Sequence, residues 1–445
     1  MSPSTWQASR WPLAAVFTSL ITLGACAGDE QPITAPMAQP NTPNLAVGDV
    51  ITVTNAKGGM EVGSLRWAVA QATGGEIIRF DARLAGTTIA LDTTLVITNP
   101  VTIEGPADKG VTISGGGRGR VIDVATMTSQ SVTKLLNVSI TGGKLLQGGG
   151  AGIRASWPLV LEHSTVWGNE APGSPAILGI GSLTVVNSTI SGNTSTLGGY
   201  AAIAASGGLT LVSSTVAYNS QGGISVPPLA WATLQSSIIA SNGSGNCTHD
   251  ENITIMGRNL SNDLSCGDST ATLIADAKLQ PLRDNGGPSM THAIAPESPA
   301  FNAGSCNPTL TVDQRYQPRD ERCDIGAFES TDRTTVTLTI DRSPNFLSGT
   351  SARVTGTVEC SRGGDQFNVL VQLEQRGPNK TVVQGTGVTN LTCTATAQTW
   401  TALVVPSSGA FTSGGATATA TTQQAPTWVT PATTSRSIKL VQPGI

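Results

Sequence analysis

The chain has 445 residues, a formal net charge of −4 and 12% charged side chains, about half the roughly 25% usual in soluble domains. No basic face of the kind a nucleic-acid partner needs is available. Glycine is abundant (51 residues) and aromatics are few (4%), which points to short strands and tight turns in a chain long enough for two or three domains.

The first stretch reads as a targeting segment (residues 1–25). Arg10 is the only charge before Asp29, and an apolar run from Trp11 to Leu23 follows it. That run has signal-peptide length and is too short to span a bilayer as a helix. It ends in Leu23-Gly24-Ala25-Cys26, which resembles the lipobox of bacterial lipoproteins, in which the cysteine carries lipid on the new N-terminus. The alternative is an ordinary signal peptide cleaved near Ala25, with Cys26 incidental. Ala27 follows rather than Asp, resembling the pattern sent to the outer membrane or cell surface in a host with two membranes. Residues 26–48, rich in Pro, Ala, Thr, Asn and Gln, read as a flexible tether. No later segment is apolar for long enough to cross a membrane.

Residues 49–330 read as a right-handed parallel β-helix. Ser64 is an N-cap for a short helix in which Leu65, Ala68, Val69 and Ala72 share one face. This helix caps the open first coil, where core and strand edges would otherwise face water. Short strands with turns between them follow at Thr88–Leu91, Leu95–Ile97, Val101–Gly105 and Val111–Gly115, and the regular series starts at Leu135. Four units then repeat: Leu159–Asn169, Leu183–Asn193, Leu209–Asn219 and Ala232–Asn242, with terminal asparagines at intervals of 24, 26 and 23 residues. Alternation of period two marks strands, and a fixed period marks stacked coils at roughly 4.8 Å spacing. The repeated asparagines are expected to bond one another from coil to coil.

Of seven cysteines, six remain after Cys26. They fall as sequence neighbours: Cys247 with Cys266, Cys306 with Cys323, Cys360 with Cys393. Neighbour pairing into structural disulfides is the simplest of many connectivities and suits an exported chain. No C-x-x-C occurs, so metal and redox readings are weak.

Two clusters of motifs carry a family resemblance. Val53-Thr54-Asn55, Gly63-Ser64-Leu65-Arg66 and Ile77-Ile78-Arg79-Phe80-Asp81 open the coil region. Leu282-Arg283-Asp284-Asn285-Gly286-Gly287-Pro288, Thr291-His292, Ser298-Pro299-Ala300, Asp313-Gln314-Arg315, Arg319 and Cys323-Asp324-Ile325-Gly326-Ala327-Phe328-Glu329 close it. Together they resemble the bacterial choice-of-anchor Q proteins, with Asn302 and Tyr316 departing from the usual Asp and Gly. The resemblance implies a pectate-lyase-like β-helix on an exported protein and no single activity. Asp313, Arg315, Arg319 and Asp324 read as a charged turn network closing the last coil, pinned by Cys306 and Cys323; a calcium or ligand site is the alternative. His292 reads as a structural hydrogen bonder.

Residues 333–445 read as an immunoglobulin-like antiparallel β-sandwich. Strands are expected at Thr335–Ile340, Ala352–Glu359, Phe367–Glu374, Thr381–Gln384 and Trp400–Val405, with a further one at Asn390–Thr396. A loop is expected over Gln423–Ser435 before a last strand at Ser437–Val441.

Two function classes compete. In the first, a lipid-anchored, monomeric protein of the cell envelope binds polysaccharide or another surface protein, or acts as an adhesin or structural element without catalysis. Trp157, Trp167, Tyr218 and Trp231 would stack on sugar rings, the alternative being turn packing. In the second, a polysaccharide lyase or glycoside hydrolase acts on acidic polysaccharide, with calcium or a carboxylate pair. The regular coils are poor in such groups. Between Val124 and Thr248 the carboxylates are Glu162 and Glu170, and Glu162 and His163, adjacent in a strand, are expected on opposite faces. His163 and His249 lack an evident catalytic partner, and no catalytic residue and no cofactor are assigned.

Overall fold

The computed structural model describes residues 48–442 apart from 126–131, 249, 268–271, 296, 332, 343–344, 349, 395 and 426–428. The targeting segment, the tether, Cys26 and His249 therefore lie outside the described residues. Among the described residues no helix is long and apolar enough to cross a membrane.

The coil region is a right-handed parallel β-solenoid of about 8 turns. Each turn passes through three parallel sheets. Sheet 1 runs over nine strands from Val50–Val53 to Ile253–Met256, sheet 2 over nine from Thr88–Ala90 to Thr272–Ile274, and sheet 3 over seven from Leu95–Ile97 to Cys247–Thr248. Strand register stacks identical positions. Leu135, Leu161, Val185, Leu211 and Leu234 pair in sequence down sheet 1 and are wholly buried. The helix Leu65–Gln71 lies at the first coil, its Ser64 hydroxyl accepting from Trp67 N at 3.1 Å, with Leu65, Ala68 and Val69 buried as the sequence predicts.

In five successive coils two corners turn through a single residue with positive φ. Between sheets 1 and 2 these are Asn137 (59°), His163 (48°), Asn187 (42°), Ser213 (44°) and Ser236 (46°). After sheet 2 they are Gly142, Gly168, Gly192, Tyr218 and Ser241. From His163 and Gly168 onward the residue following each turns inward and must find partners there. After sheet 2 it is the asparagine: Asn169 Nδ2 donates to Asn193 at 3.0 Å, Asn193 to Asn219 at 3.0 Å and Asn219 to Asn242 at 2.9 Å. Between sheets 1 and 2 it is a serine. The backbone N–H groups of Ser164, Ser188 and Ser214 donate to the next coil's serine Oγ at 3.1–3.2 Å. The asparagine ladder is legible in the sequence; the serine ladder is a second one.

The segment after Thr272–Ile274 corrects one expectation. It does not close the last coil. It returns along the outside of the solenoid over sheet 2 and its corner with sheet 1. Gly326 N donates to Ser236 O at 2.8 Å, Ala327 N to Thr215 Oγ1 at 3.1 Å, Arg319 to Asn187 Oδ1 at 3.1 Å and Tyr316 Oη to Asn137 Oδ1 at 2.8 Å. Ala277, Ile294, Ala300 and Ile325 pack on Ile238, Ala240 and Leu260, forming a second apolar core outside the coil.

Residues beyond Thr334 form an antiparallel β-sandwich whose eight-stranded ladder closes on itself where Ser351–Cys360 pairs with Gln398–Pro406. Trp400 fills its core. The expected strands at Thr381–Gln384 and Asn390–Thr396 are one strand, Val382–Thr392. The expected loop falls between Gly414–Gln423, a strand the sequence reading did not place, and Thr433–Val441, which begins four residues before the expected Ser437. The first of these hides in the sequence because its inward positions, Ala416, Ala418 and Ala420, are small. The disulfides join sequence neighbours, Cys247–Cys266, Cys306–Cys323 and Cys360–Cys393, with Cα separations of 5.0, 5.2 and 5.6 Å.

Candidate ligand-binding platform

The four aromatic residues singled out in the sequence separate into two pairs. Trp167 and Tyr218 come together beside the return segment. Trp157 and Trp231 sit at the corner between sheets 3 and 1.

Trp167 ends strand Thr165–Trp167 on sheet 2 and points outward, because Val166 between the two takes the core. The residue stacked on it in the next coil is Ser191, and the one after is Ala217. These small side chains leave a floor two coils long, roughly 10 Å at ordinary strand spacing. Gly192 leaves open space above it. Tyr218 stands at the far end, and Leu279, Pro281 and Leu282 of the return segment form a wall. The depression holds about 440 Å³ and is lined by Trp167, Ser191, Gly192, Tyr218, Leu279, Pro281, Leu282 and His292.

Tyr218 occupies the left-handed position that Gly142, Gly168 and Gly192 fill in preceding coils. Positive φ is strained for a bulky residue and costs on the order of 1–3 kcal/mol. Its ring leans on His292 at 5.1 Å, its hydroxyl donates to Leu279 O at 3.3 Å, and it stays 45% exposed. His292 is held from both sides: Nδ1–H donates to Gln280 O at 2.7 Å, and Ser191 Oγ donates to Nε2 at 2.8 Å. That pattern fixes the neutral tautomer, and burial holds its pKa below the usual value. The Trp167 indole N–H is buried without a protein acceptor among the described residues. Every group lining the depression is thus uncharged.

The charged motifs of the return segment are spent on one another. Asp313 is fully buried, pairs with Arg315 at 2.6 Å and accepts from the backbone of Arg315, Gln317 and Glu329. All five Arg319 donor positions are used: Nε on Val312 O, Nη1 on Asp324 O and Glu329, Nη2 on Asn187 and Gly326 O. Gln314, which carried no separate role in the sequence reading, is wholly buried. It donates to Thr165 Oγ1 (3.0 Å), Ser289 Oγ (2.7 Å) and Met290 O (3.0 Å) and accepts from Thr189 (2.6 Å). Among the described residues no group of three acidic, histidine or cysteine side chains is arranged to hold a metal.

Glu162 and His163 do not face opposite ways. The strand ends at Glu162, and the positive φ of His163 swings its ring back, bringing Nε2 to 3.7 Å from Glu162 Oε1. The ring stacks on Tyr316 (centroids 4.2 Å apart, 9° between planes) and bonds Gln314 O at 3.2 Å. Glu162 is also ion-paired with Lys134. Glu104 with Arg79, Asp123 with Arg154 and Glu170 with Lys144 repeat the arrangement at 2.7–3.1 Å.

No protein-family model matches the chain, and no curated protein does. Among solved structures it is similar to the enzymatically active domain of bacteriophage CBA120 tailspike protein 4, with 12% identity, TM-score 0.22, and coverage of 83% of this chain and 56% of that one. It is also similar to the cell-surface-expressed chitinase ChiW of Paenibacillus sp. str. FPU-7, with 10% identity, TM-score 0.14, and coverage of 81% of this chain and 23% of that one. The chain thus spans little more than half of the first and under a quarter of the second. At these scores neither alignment carries an argument about activity.

The return segment carries titrations of opposite sign. Burial lowers the pKa of His163 and His292, so their contribution is complete above the unfolded value near 6.5 and is lost as pH falls. Burial outweighs the Arg319 ion pair and raises Glu329 from 4.5 to about 7; burial and Glu329 raise Asp324 well above its usual value. The Glu329 contribution is present below pH 4.5 and is lost as pH rises through 7. Melting temperatures between pH 4.5 and 7.5 should therefore rise more steeply with pH in Glu329→Gln than in the wild type. Parallel curves would contradict this assignment.

Proposed function

We propose that the protein is an exported, envelope-anchored binding protein that holds a neutral glycan on the Trp167–Tyr218 platform and does not cleave it. The observation that carries this reading is Tyr218, a half-exposed aromatic kept in a strained left-handed conformation where the three preceding coils use glycine. Strain retained at an exposed ring points to a role for the ring itself. Aromatic faces stack on the apolar faces of sugars, and the uncharged lining favours a neutral sugar over a polyuronate. A lyase or hydrolase is the weaker reading, because the carboxylates Glu104, Asp123, Glu162 and Glu170 are each neutralised by a cation and none lines the platform.

Three disulfides belong to a chain exported to an oxidising compartment. The lipobox supports lipid attachment at Cys26 and an envelope location, and the opening and closing motifs support kinship with exported choice-of-anchor Q β-helices. Metabolic labelling with a fatty-acid analogue should mark the wild type and spare Cys26→Ala; equal labelling of both would remove the anchor from the account.

The binding test uses the neutral oligosaccharide that binds best on a glycan array. Tyr218→Gly should weaken it about tenfold, a stacking contribution of roughly 1 kcal/mol or slightly more, while leaving melting temperature equal or higher because glycine suits the position. Reducing-end and ultraviolet assays should show no depolymerisation with or without calcium. Unchanged affinity in Tyr218→Gly, or product formation lost on replacing Glu162, would overturn the reading.

A further inference from the structure

The corner between sheets 3 and 1 carries an apolar ridge that the glycan platform does not use. Four successive coils cross it at residues 155–160, 179–184, 205–210 and 226–233, and none of these stretches holds a charged residue. In the fourth of these coils Pro227–Ala230 forms a tight turn, closed by Ala230 N on Pro227 O at 3.0 Å; the next crossing, at 250–252, brings Asp250 and Glu251 and ends the uncharged stretch. Leu229 takes its third position with φ 104°, a place that normally requires glycine. It is fully exposed at the tip of the turn. Trp231 stands behind it, 50% exposed, and Ile180 is 51% exposed on the same corner.

Trp231 lies flat. A Cβ built on Gly208 would fall 2.5 Å from Trp231 Cε2, 2.6 Å from Cζ2 and 2.9 Å from Nε1. The ring-fusion carbon is the nearest of the three, so the glycine meets the face of the indole rather than its edge. Glycine at 208 is what lets the ring settle on the coil, leaving the other face toward solvent.

We propose that this ridge inserts into a lipid surface. A fully exposed aliphatic side chain at the tip, an indole behind it and no charge across four coils match the apolar-to-interfacial gradient of a bilayer. A glycan would gain little from a protruding leucine, which offers neither a flat ring nor a hydrogen bond. The strain at Leu229 is a second, independent observation: a glycine there would relieve it, so the side chain is retained against the backbone's preference. The sequence fits the same occupant, since Cys26 of the lipobox stands only 22 residues before Gly48. In a coil of three sheets, the corner between sheets 3 and 1 is opposite sheet 2. Insertion would lay the coil axis along the membrane and turn the Trp167–Tyr218 platform outward, an orientation that rests on the proposed function of that platform.

The test is co-sedimentation with phosphatidylcholine vesicles and with phosphatidylethanolamine–phosphatidylglycerol vesicles, using the purified chain carrying Cys26→Ser so that no attached lipid contributes. The wild-type ridge should bind both, and binding should survive high salt because the inserting side chains, Leu229 and Trp231, carry no charge. Leu229→Gly should lower the partition coefficient roughly tenfold while keeping or raising the melting temperature. Tyr218→Gly should leave vesicle binding unchanged, which separates this proposal from the glycan platform. Absence of wild-type binding, or equal binding by Leu229→Gly, would overturn it. A loss of glycan affinity in Leu229→Gly without loss of vesicle binding would assign the ridge to the glycan instead and would overturn it equally.

Discussion

The left-handed corner residue is the constraint on which the rest of this structure depends. A coil of about 24 residues cannot pass from one flat sheet to the next without a sharp turn. Here a single residue at positive φ makes it, at Asn137, His163, Asn187, Ser213 and Ser236 on one corner and at Gly142, Gly168, Gly192, Tyr218 and Ser241 on the other. Reversing direction over one residue sends the following side chain inward, where its polar atoms have no water. Stacking the same polar residue in every coil solves that problem repeatedly, with one net contribution of about 1 kcal/mol for each bond made and a larger penalty for each left open.

The same corners govern the outside. Corner side chains project away from the coil, and the return segment uses them as its docking points: Tyr316 on Asn137 and His163, Arg319 on Asn187, Ser305 on Ser236. Gln314 sits at the centre of this seam and spends both ends of its amide on neighbouring coils. Its buried ions survive because each has several partners, not because a pair of opposite charges is favourable in itself. Where the return segment stops covering sheet 2, an aromatic-walled floor is left open, so the platform is a by-product of the edge of that seam.

How much of this is legible in the sequence depends on how local the cause is. The asparagine ladder is visible because one residue type recurs at one period. The serine ladder is present in the same four units at Ser164, Ser188, Ser214 and Ser237 but looks like ordinary strand alternation. The opposite-face expectation for Glu162 and His163 failed because alternation holds only inside a strand, and the strand stops one residue early. Trp167 and Tyr218 are legible as candidates; their partners Leu279, Pro281, Leu282 and His292 are not, because those contacts join positions 61 to 101 residues apart. The course of the return segment is hidden for the same reason. Its docking residues change type from coil to coil, although a column of Asn, His and Ser immediately after each sheet 1 strand was a signal that the corner is left-handed.

The solenoid and its return segment therefore form one cooperative body, fastened at the corner between sheets 1 and 2. Hydrogen–deuterium exchange of the wild type and Gln314→Ala tests this most directly. The amides of Gly326 and Ala327 should open with the same free energy as the strands Ala232–Gln235 and Thr215–Ala217, at whose ends Ser236 and Thr215 hold them, and Gln314→Ala should lower protection in both together. Fast exchange across residues 275–330 over coils that stay protected, with no change in the coils when Gln314 is replaced, would show that the segment merely lies on the solenoid and that the corner residues do not hold it.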